Sequence, residues 1–354
     1  MLKEYGFLRV GALVNEIHLC DPIWNAKEII KKFKEAEELG VEIITTPELA
    51  LTGYTAQDMF LNDDLYNGVL KALEMLKEYS SLTSLVFIVG APIRIKNSLY
   101  NCALSFYNGH IIGITPKTFI PNYNEFYEAR WFTSANELAL NEIELLGDKV
   151  YISNKLCYKC DNYDLTYAID ICEDLWVSNT PSNFTSLNGA TLIFNLSSSN
   201  ETIGKVNYRR NLVKMQSSKT LSAYVYASSG ISESTSDILF SGHAMIAEPD
   251  GTFVENEQVN NTGTVNEYYV LKCTEYAKGY VNETNYINIL ISDFETTDLG
   301  DEIINYMNGT SKDISGVKGY LYSDDTGYTY SYAKDNKVIS IQSDNEELIA
   351  PVIA

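Results

Sequence analysis

Apolar positions recur along the first 250 or so residues in two alternating rhythms. From Asn25 to Leu39, residues Ile29, Ile30, Phe33, Ala36 and Leu39 share one face of a 3.6-residue period, which predicts an amphipathic helix closed by Gly40. Leu65 to Tyr79 repeats the pattern with Leu65, Val69, Leu73 and Leu76 inward. Between and around these lie short apolar runs, Leu8 to Val14, Val41 to Thr46 and Leu85 to Gly90, which read as strands. The third is almost wholly apolar, as in a strand covered on both faces. Asn108-Gly109 separates the apolar runs Asn101 to Phe106 and Ile111 to Ile114 and predicts a tight hairpin. Leu165 to Ile171, Leu192 to Leu196 and Ala223 to Ala227 read as further strands, and Tyr208 to Lys219 as a helix. Gly242 to Ala247 is expected to pair across the turn sequence Glu248-Pro249-Asp250-Gly251. Strands alternating with helices and hairpins give an α/β protein with a mixed sheet and helices on its outer faces.

The rhythm weakens near Val254, where Asn, Thr, Tyr and Gly become frequent. Tyr320, Tyr322, Tyr328, Tyr330 and Tyr332 alternate with polar residues around Asp325-Thr326-Gly327. That pattern predicts a β-hairpin packed as an appended edge; the other reading is an interaction surface, since Tyr is favoured at interfaces.

Composition narrows the class. Hydrophobic residues make up 45% and charged residues 21%, ordinary for a globular protein in water. The net charge of −21, from 26 basic and 47 acidic residues, argues against nucleic acid and anionic membrane as partners. No apolar run reaches the ~18 residues of a membrane span, and Met1 to Val10, with Lys3, Glu4 and Arg9, has no signal-peptide core. Six cysteines in 354 residues do not form a disulfide scaffold, so reduced thiols and a cytoplasmic location are expected. Cys157-Tyr158-Lys159-Cys160 has zinc-ribbon spacing, but no second pair follows; a hairpin or loop with two free thiols is the reading adopted. His18, His110 and His243 sit in no triad motif. Glycine-rich phosphate loops are absent as well. No metal and no cofactor is expected.

Three strand ends carry reactive side chains. Cys172 follows the strand Tyr167 to Ile171 at a sharp turn, flanked by acidic residues in Asp170-Ile171-Cys172-Glu173-Asp174. A strand-to-turn junction holds a side chain out of the sheet; a lone Cys is otherwise a small core residue. Glu48 follows Pro47 at the end of the second strand, where the plainer reading is an exposed loop carboxylate. Lys117 lies among apolar and aromatic residues, where the plainer reading is a lysine snorkelling over a hydrophobic rim. Brought together, Glu48 accepts the thiol proton and returns it to a leaving amine, and Lys117 stabilises an oxyanion. Such a set suits attack on an amide or nitrile carbon.

PELALTGY (from Pro47), PKTFIPNYNEFYEARWF (from Pro116) and DICEDLW (from Asp170), in that order, resemble the three signatures of the nitrilase, or carbon–nitrogen hydrolase, superfamily. More narrowly they resemble the glutaminase domain of glutamine-dependent NAD synthetases. Asn195-Leu196-Ser197-Ser198-Ser199, Lys205 with Arg209-Arg210, and Tyr224 to Gly251 extend the likeness, which covers Met1 to Gly251. The resemblance implies a four-layer α-β-β-α sandwich that pairs with a second copy through its outer face. It implies Glu48 as proton acceptor, Lys117 as transition-state stabiliser and Cys172 as nucleophile, with the Glu173 N–H in the oxyanion hole. Its glutamine-contact positions fall on Tyr123, Ser199 and Lys205, the last often Arg in relatives; Tyr54, Glu173 and Trp176 line the same pocket. Either Glu128 or Glu125 orients the lysine. Residues 1–255 are then the hydrolase domain, and residues 256–354 a divergent extension of strands packed on or completing the sandwich.

The family's synthetase domain is marked by an SGGxDS-type phosphate loop, and these 354 residues contain none. The expectation is a glutaminase that supplies ammonia to a separate NAD synthetase domain. A free-standing amidase for another small amide and a non-catalytic interaction module are the alternatives.

Overall fold

Strand β1 (Val10–Ala12) leads to helix α1 (Pro22–Glu38), strand β2 (Ile43–Thr45), helix α2 (Asp63–Ser80) and strands β3 (Val86–Ile95), β4 (Ser98–Tyr107) and β5 (His110–Pro116). The computed structural model describes residues 8–160, 165–256, 273–281, 286–294, 309–324, 327–334 and 337–353. The chain divides into two units, Met1–Asn266 and Glu267–Ala354. In the first, β1 to β5 form one sheet in sequence order. Strands β1, β2 and β3 run parallel; β3, β4 and β5 form antiparallel hairpins. The sequence explains the boundaries. Asp21 caps α1, accepting the Trp24 N–H at 3.1 Å, with Pro22 in the first turn. Asn62 caps α2 through the Asp64 N–H at 2.7 Å. Asn108 and Gly109 both take positive φ, +50° and +80°, as a two-residue hairpin turn demands.

Two short ribbons follow, β6 (Asn122–Tyr123) with β7 (Phe126–Tyr127), and β8 (Glu142–Leu145) with β9 (Asp148–Tyr151). The second sheet is built from β10 (Tyr158–Cys160), β11 (Leu165–Ile171), β12 (Leu192–Ser197), β13 (Ala223–Ser228), β14 (Ala244–Ala247) and β15 (Phe253–Asn256), again in sequence order. Helix α3 (Pro181–Leu187) crosses from β11 to β12, and α4 (Lys205–Thr220) from β12 to β13. Strands β11, β12 and β13 are parallel, and the rest of the sheet is antiparallel.

Period-two alternation sorts the side chains into layers. Phe87, Val89, Leu104 and Phe106 face α1 and α2, meeting Ile29, Phe33, Val69 and Leu73. Ile43, Ile88 and Ala103 face the other way and pack on Tyr167, Ile169, Ile171, Phe194, Leu196 and Val225 of the second sheet. Ala168, Ile193, Tyr224 and Tyr226 point outward again, onto Val213 of α4. Helices, sheet, sheet and helices make the four-layer α-β-β-α sandwich. Two of the differences from the sequence reading bear on these layers. Strand β3 continues past Gly90 through Pro92 to Ile95, because its partner β4 carries it on as a long hairpin. Helix α3 has no apolar period; Thr180 caps it, with Pro181 behind. No helix among the described residues is long and apolar enough to cross a membrane.

The second unit holds β16 (Cys273–Val281), β17 (Tyr286–Phe294), β18 (Thr310–Ile314), β19 (Val317–Asp324), β20 (Gly327–Lys334) and β21 (Lys337–Ser343). They form one antiparallel sheet in the order β16-β17-β21-β20-β19-β18. The tyrosine-rich hairpin is β19 paired with β20, closing at Asp324 opposite Gly327; Asp325 and Thr326 lie outside the described residues. Tyr330 and Tyr332 are buried with Ile314, Ile341 and Ile349 in this unit's own core.

Candidate active site

Glu48 stands in the turn after β2. Its N–H donates to Ser197 O at 3.3 Å, and Leu51 N–H donates to Gly90 O at 3.2 Å. The turn lies flat on β3 because Gly90 has no side chain: a methyl group there would stand 2.5 Å from Leu49 N and 2.6 Å from Pro47 O. Lys117 follows β5 directly and is anchored by its N–H on Asn101 O at 2.8 Å. Cys172 follows β11 with φ +43°, a conformation a side-chain-bearing residue rarely adopts, and opens a short 3-10 turn.

These three positions are buried, with Glu48 and Lys117 both at 0% exposure. Lys117 Nζ donates to Glu48 Oε1 at 2.6 Å and to Glu128 Oε1 at 2.7 Å. Asn101 Nδ2 donates to the same Glu48 oxygen at 2.6 Å, and Tyr54 OH to Glu128 Oε1 at 2.7 Å. The second oxygens, Glu48 Oε2 and Glu128 Oε2, are buried with no hydrogen-bond partner among the described residues. Burial works against the Lys117 ammonium, but Glu128 and Glu48 outweigh it and hold its pKa well above the usual lysine value. Burial lifts Glu128 to about 7, resisted by Lys117 and reinforced by Glu48. Burial, then Glu48, push the Cys172 thiol above its ordinary range, with Lys117 pulling the other way. Such a site holds an acid–base carboxylate, a fixed cation and a protonated thiol, the parts needed for covalent chemistry at an amide carbon.

One further carboxylate locks the geometry. Asp174 accepts the N–H groups of Phe119 at 2.8 Å, Thr118 at 3.1 Å and Ile171 at 3.2 Å. The segment after Lys117 and the strand before Cys172 are therefore docked on the same side chain. The sequence places Asp174 inside DICEDLW without giving it a role. Asn101 and Glu233 were also missed. Asn101 is a buried amide in a largely apolar strand, its only signal. Glu233 is buried, raised to about 7 by that burial, and accepts the Tyr54 N–H at 2.5 Å.

The remaining expected pocket residues fall into two groups. Tyr123, exposed on β6, donates to Glu173 Oε2 at 2.9 Å. The Lys205 ammonium lies 4.9 Å from the Trp176 ring centroid and 5.7 Å from that of Phe126, and donates to Asn200 Oδ1. Of the two acids offered for orienting the lysine, Glu128 is the one in hydrogen-bond contact with Lys117 Nζ, at 2.7 Å. Glu125 instead accepts from Asn200 Nδ2. Ser199, at the end of β12, is buried and donates its N–H to Ser228 Oγ at 3.2 Å. Tyr54 is part of the Glu128 network itself.

Residues 9–266 match the carbon–nitrogen hydrolase family. The chain is 34% identical over 256 residues to the glutamine-dependent NAD(+) synthetases of Mycobacterium bovis and Mycobacterium tuberculosis, covering 72% of this chain and 38% of theirs. The enzyme of the same name from Homo sapiens is 28% identical over 249 residues, 66% of this chain and 34% of its own. The chain thus spans 38% or less of the length of these relatives. Among solved structures, a glutamine-dependent NAD(+) synthetase from Cytophaga hutchinsonii superposes with a TM-score of 0.58 at 27% identity, covering 71% of this chain and 43% of that one. A nitrilase-superfamily amidase from Nesterenkonia shares the fold, with a TM-score of 0.58 at 13% identity over 71% of this chain and 87% of that one. The matched segment contains both sheets of the first unit, helices α1 to α4 and the buried Glu48–Lys117–Glu128 network, and the chain belongs to the carbon–nitrogen hydrolase family.

Proposed function

We propose that this chain hydrolyses the side-chain amide of L-glutamine through a thioester on Cys172, releasing ammonia for an NAD synthetase domain that lies outside these 354 residues. The observation that carries the reading is Lys117 clamped between Glu48 and Glu128, with Glu48 Oε2 left open. Glu48 takes the thiol proton as Sγ bonds to the amide carbon. Lys117 and the Glu173 N–H meet the developing oxyanion. The carbon–nitrogen bond then breaks, and Glu48 returns the proton to the departing ammonia. Water attacks the thioester with its proton passing to Glu48, and glutamate leaves as the thiol reforms.

Lys205 and Glu173 supply opposite charges for the α-carboxylate and α-ammonium groups, and Tyr123, Ser199, Tyr54 and Trp176 complete the wall. Residues 1–255 carry the chemistry, with 256–354 an extension. Pairing with a second copy through the outer helical face is supported by Phe184, Leu187, Tyr208 and Met215, exposed on α3 and α4. Free thiols at Cys20, Cys102 and Cys157 fit a reducing cytoplasm.

The test is intact mass after treatment with diazo-oxo-norleucine, a glutamine-like electrophile, beside ammonia release from glutamine and other ω-amides. A single adduct, lost in Cys172→Ala, with turnover confined to glutamine, supports the reading. No adduct, or faster release from another amide, overturns it.

A further inference from the structure

Arg209, on α4, is completely buried. A guanidinium taken out of water is costly unless its donors are met, and an apolar replacement often serves stability as well. Its two Nη groups are met in a directed way, while Nε has no hydrogen-bond partner among the described residues. Nη2 donates to Asn200 O at 3.1 Å and to Glu201 Oε2 at 2.9 Å. Nη1 lies 2.9 Å from His243 Nδ1. Arg has no acceptor, so Nδ1 must offer its lone pair and the imidazole proton must sit on Nε2. That nitrogen donates to Glu255 Oε2 at 2.8 Å, and the same carboxylate takes Arg210 Nε at 2.6 Å. The contacts run from β15, through the residue before β14, to α4 and the loop after β12.

The far end of this line touches the pocket. Asn200, whose carbonyl Arg209 grips, holds Lys205 with its side-chain oxygen and Glu125 with its side-chain nitrogen. Lys205 is the first residue of α4, and that helix begins at Gly204 with no side-chain cap. Arg209 lies one turn further on, at i+4. The Lys205 N–H donates to Thr202 O at 3.0 Å, and at the side-chain level Asn200 is the residue that touches both Lys205 Nζ and Arg209 Nη2. We propose that Glu255, His243 and Arg209 form a positioning relay that sets Asn200 and, through it, the Lys205 ammonium of the substrate pocket. The inference rests on the reading of Lys205 as a substrate contact.

The test uses the full chain. His243→Ala should raise KM for glutamine on the order of tenfold, with kcat within about twofold of the parent. His243→Gln should restore KM, because an amide oxygen accepts from Arg209 while its N–H donates to Glu255. A second readout needs no glutamine: the ratio of Cys172 alkylation by iodoacetate to that by iodoacetamide. A held ammonium favours the anion, so the ratio should fall several-fold in His243→Ala and return in His243→Gln. If the parent does not hydrolyse glutamine, the proposed function fails and the alkylation ratio alone decides the relay. If His243→Ala does not fold, Glu255→Ala, at the partly exposed end, gives the same comparison. Unchanged KM and an unchanged ratio in a variant that melts like the parent would overturn the relay, as would a fall in kcat that His243→Gln does not rescue.

Discussion

The Cys172 thiol is buried beside carboxylates that push it above its ordinary range, so at rest it keeps its proton. In the proposed reaction reactivity comes from proton transfer during attack, with Glu48 Oε2, which has no partner among the described residues, as the acceptor. Cys172→Ala is expected to abolish ammonia release with an unchanged melting curve, because the covalent route has no substitute nucleophile. Residual turnover near the parent level would remove Cys172 from the mechanism. Lys117 has a different task. Two carboxylates hold its ammonium, so in the proposed reaction it needs little reorganisation when an oxyanion forms. Lys117→Ala should slow acylation by the diazo compound on the order of 10²–10³-fold. Acylation at the parent rate would show that the charge serves the fold alone.

The elements meet at the site through backbone contacts as much as through side chains. Gly90 is where β3 allows the Glu48 turn to lie against it. Gly90→Ala must push backbone, not a flexible side chain, and should cost about 1–3 kcal/mol or more in unfolding free energy. Because the displaced atoms precede Glu48 and follow it, kcat should fall in the same variant, measured on the folded protein below its melting temperature. A variant with parent stability and parent kcat would show the turn to be compliant. The same distinction between local and non-local signals explains what the sequence disclosed. Helices α1 and α2, and the Asn108-Gly109 hairpin, were legible because period and turn chemistry are local. Glu48, Lys117 and Cys172 were legible because each stands in a motif at a strand end. Pro92 hid the second half of β3, since its place there depends on pairing with β4. Asn101 and Glu233 were invisible because each matters only through a partner 53 or 179 residues away. The choice between Glu125 and Glu128 belongs with these: three positions apart, they face Asn200 and Lys117 respectively, which the ribbon between them decides.

At the scale of the molecule, a chain of net charge −21 also buries carboxyl groups that resist ionisation. Burial lifts Glu128 and Glu233 to about 7 and Asp170 to about 6. An unfolded Glu or Asp titrates near ~4. Between that value and the raised one, the folded state binds more protons than the unfolded state, so stability falls as pH rises. The stabilising contribution is complete below the unfolded value and is lost by the time pH passes the folded one. A raised carboxyl of this kind is worth on the order of 1–3 kcal/mol across its window. Asp148 and Glu255 are shifted downward and titrate below this range. Self-repulsion among the acidic surface groups points in the same direction as the buried carboxyls, because more of them ionise as pH rises. Salt separates the two. At 1 M the screening length is about 3 Å, which removes repulsion across the surface but leaves buried groups almost untouched. The melting temperature should therefore drop between pH 5.5 and pH 8 in low salt and in 1 M salt alike, and Glu128→Gln should shrink the drop. A drop that vanishes in 1 M salt would assign it to the surface, and stability that rises over this range would contradict the buried, proton-holding carboxyls outright.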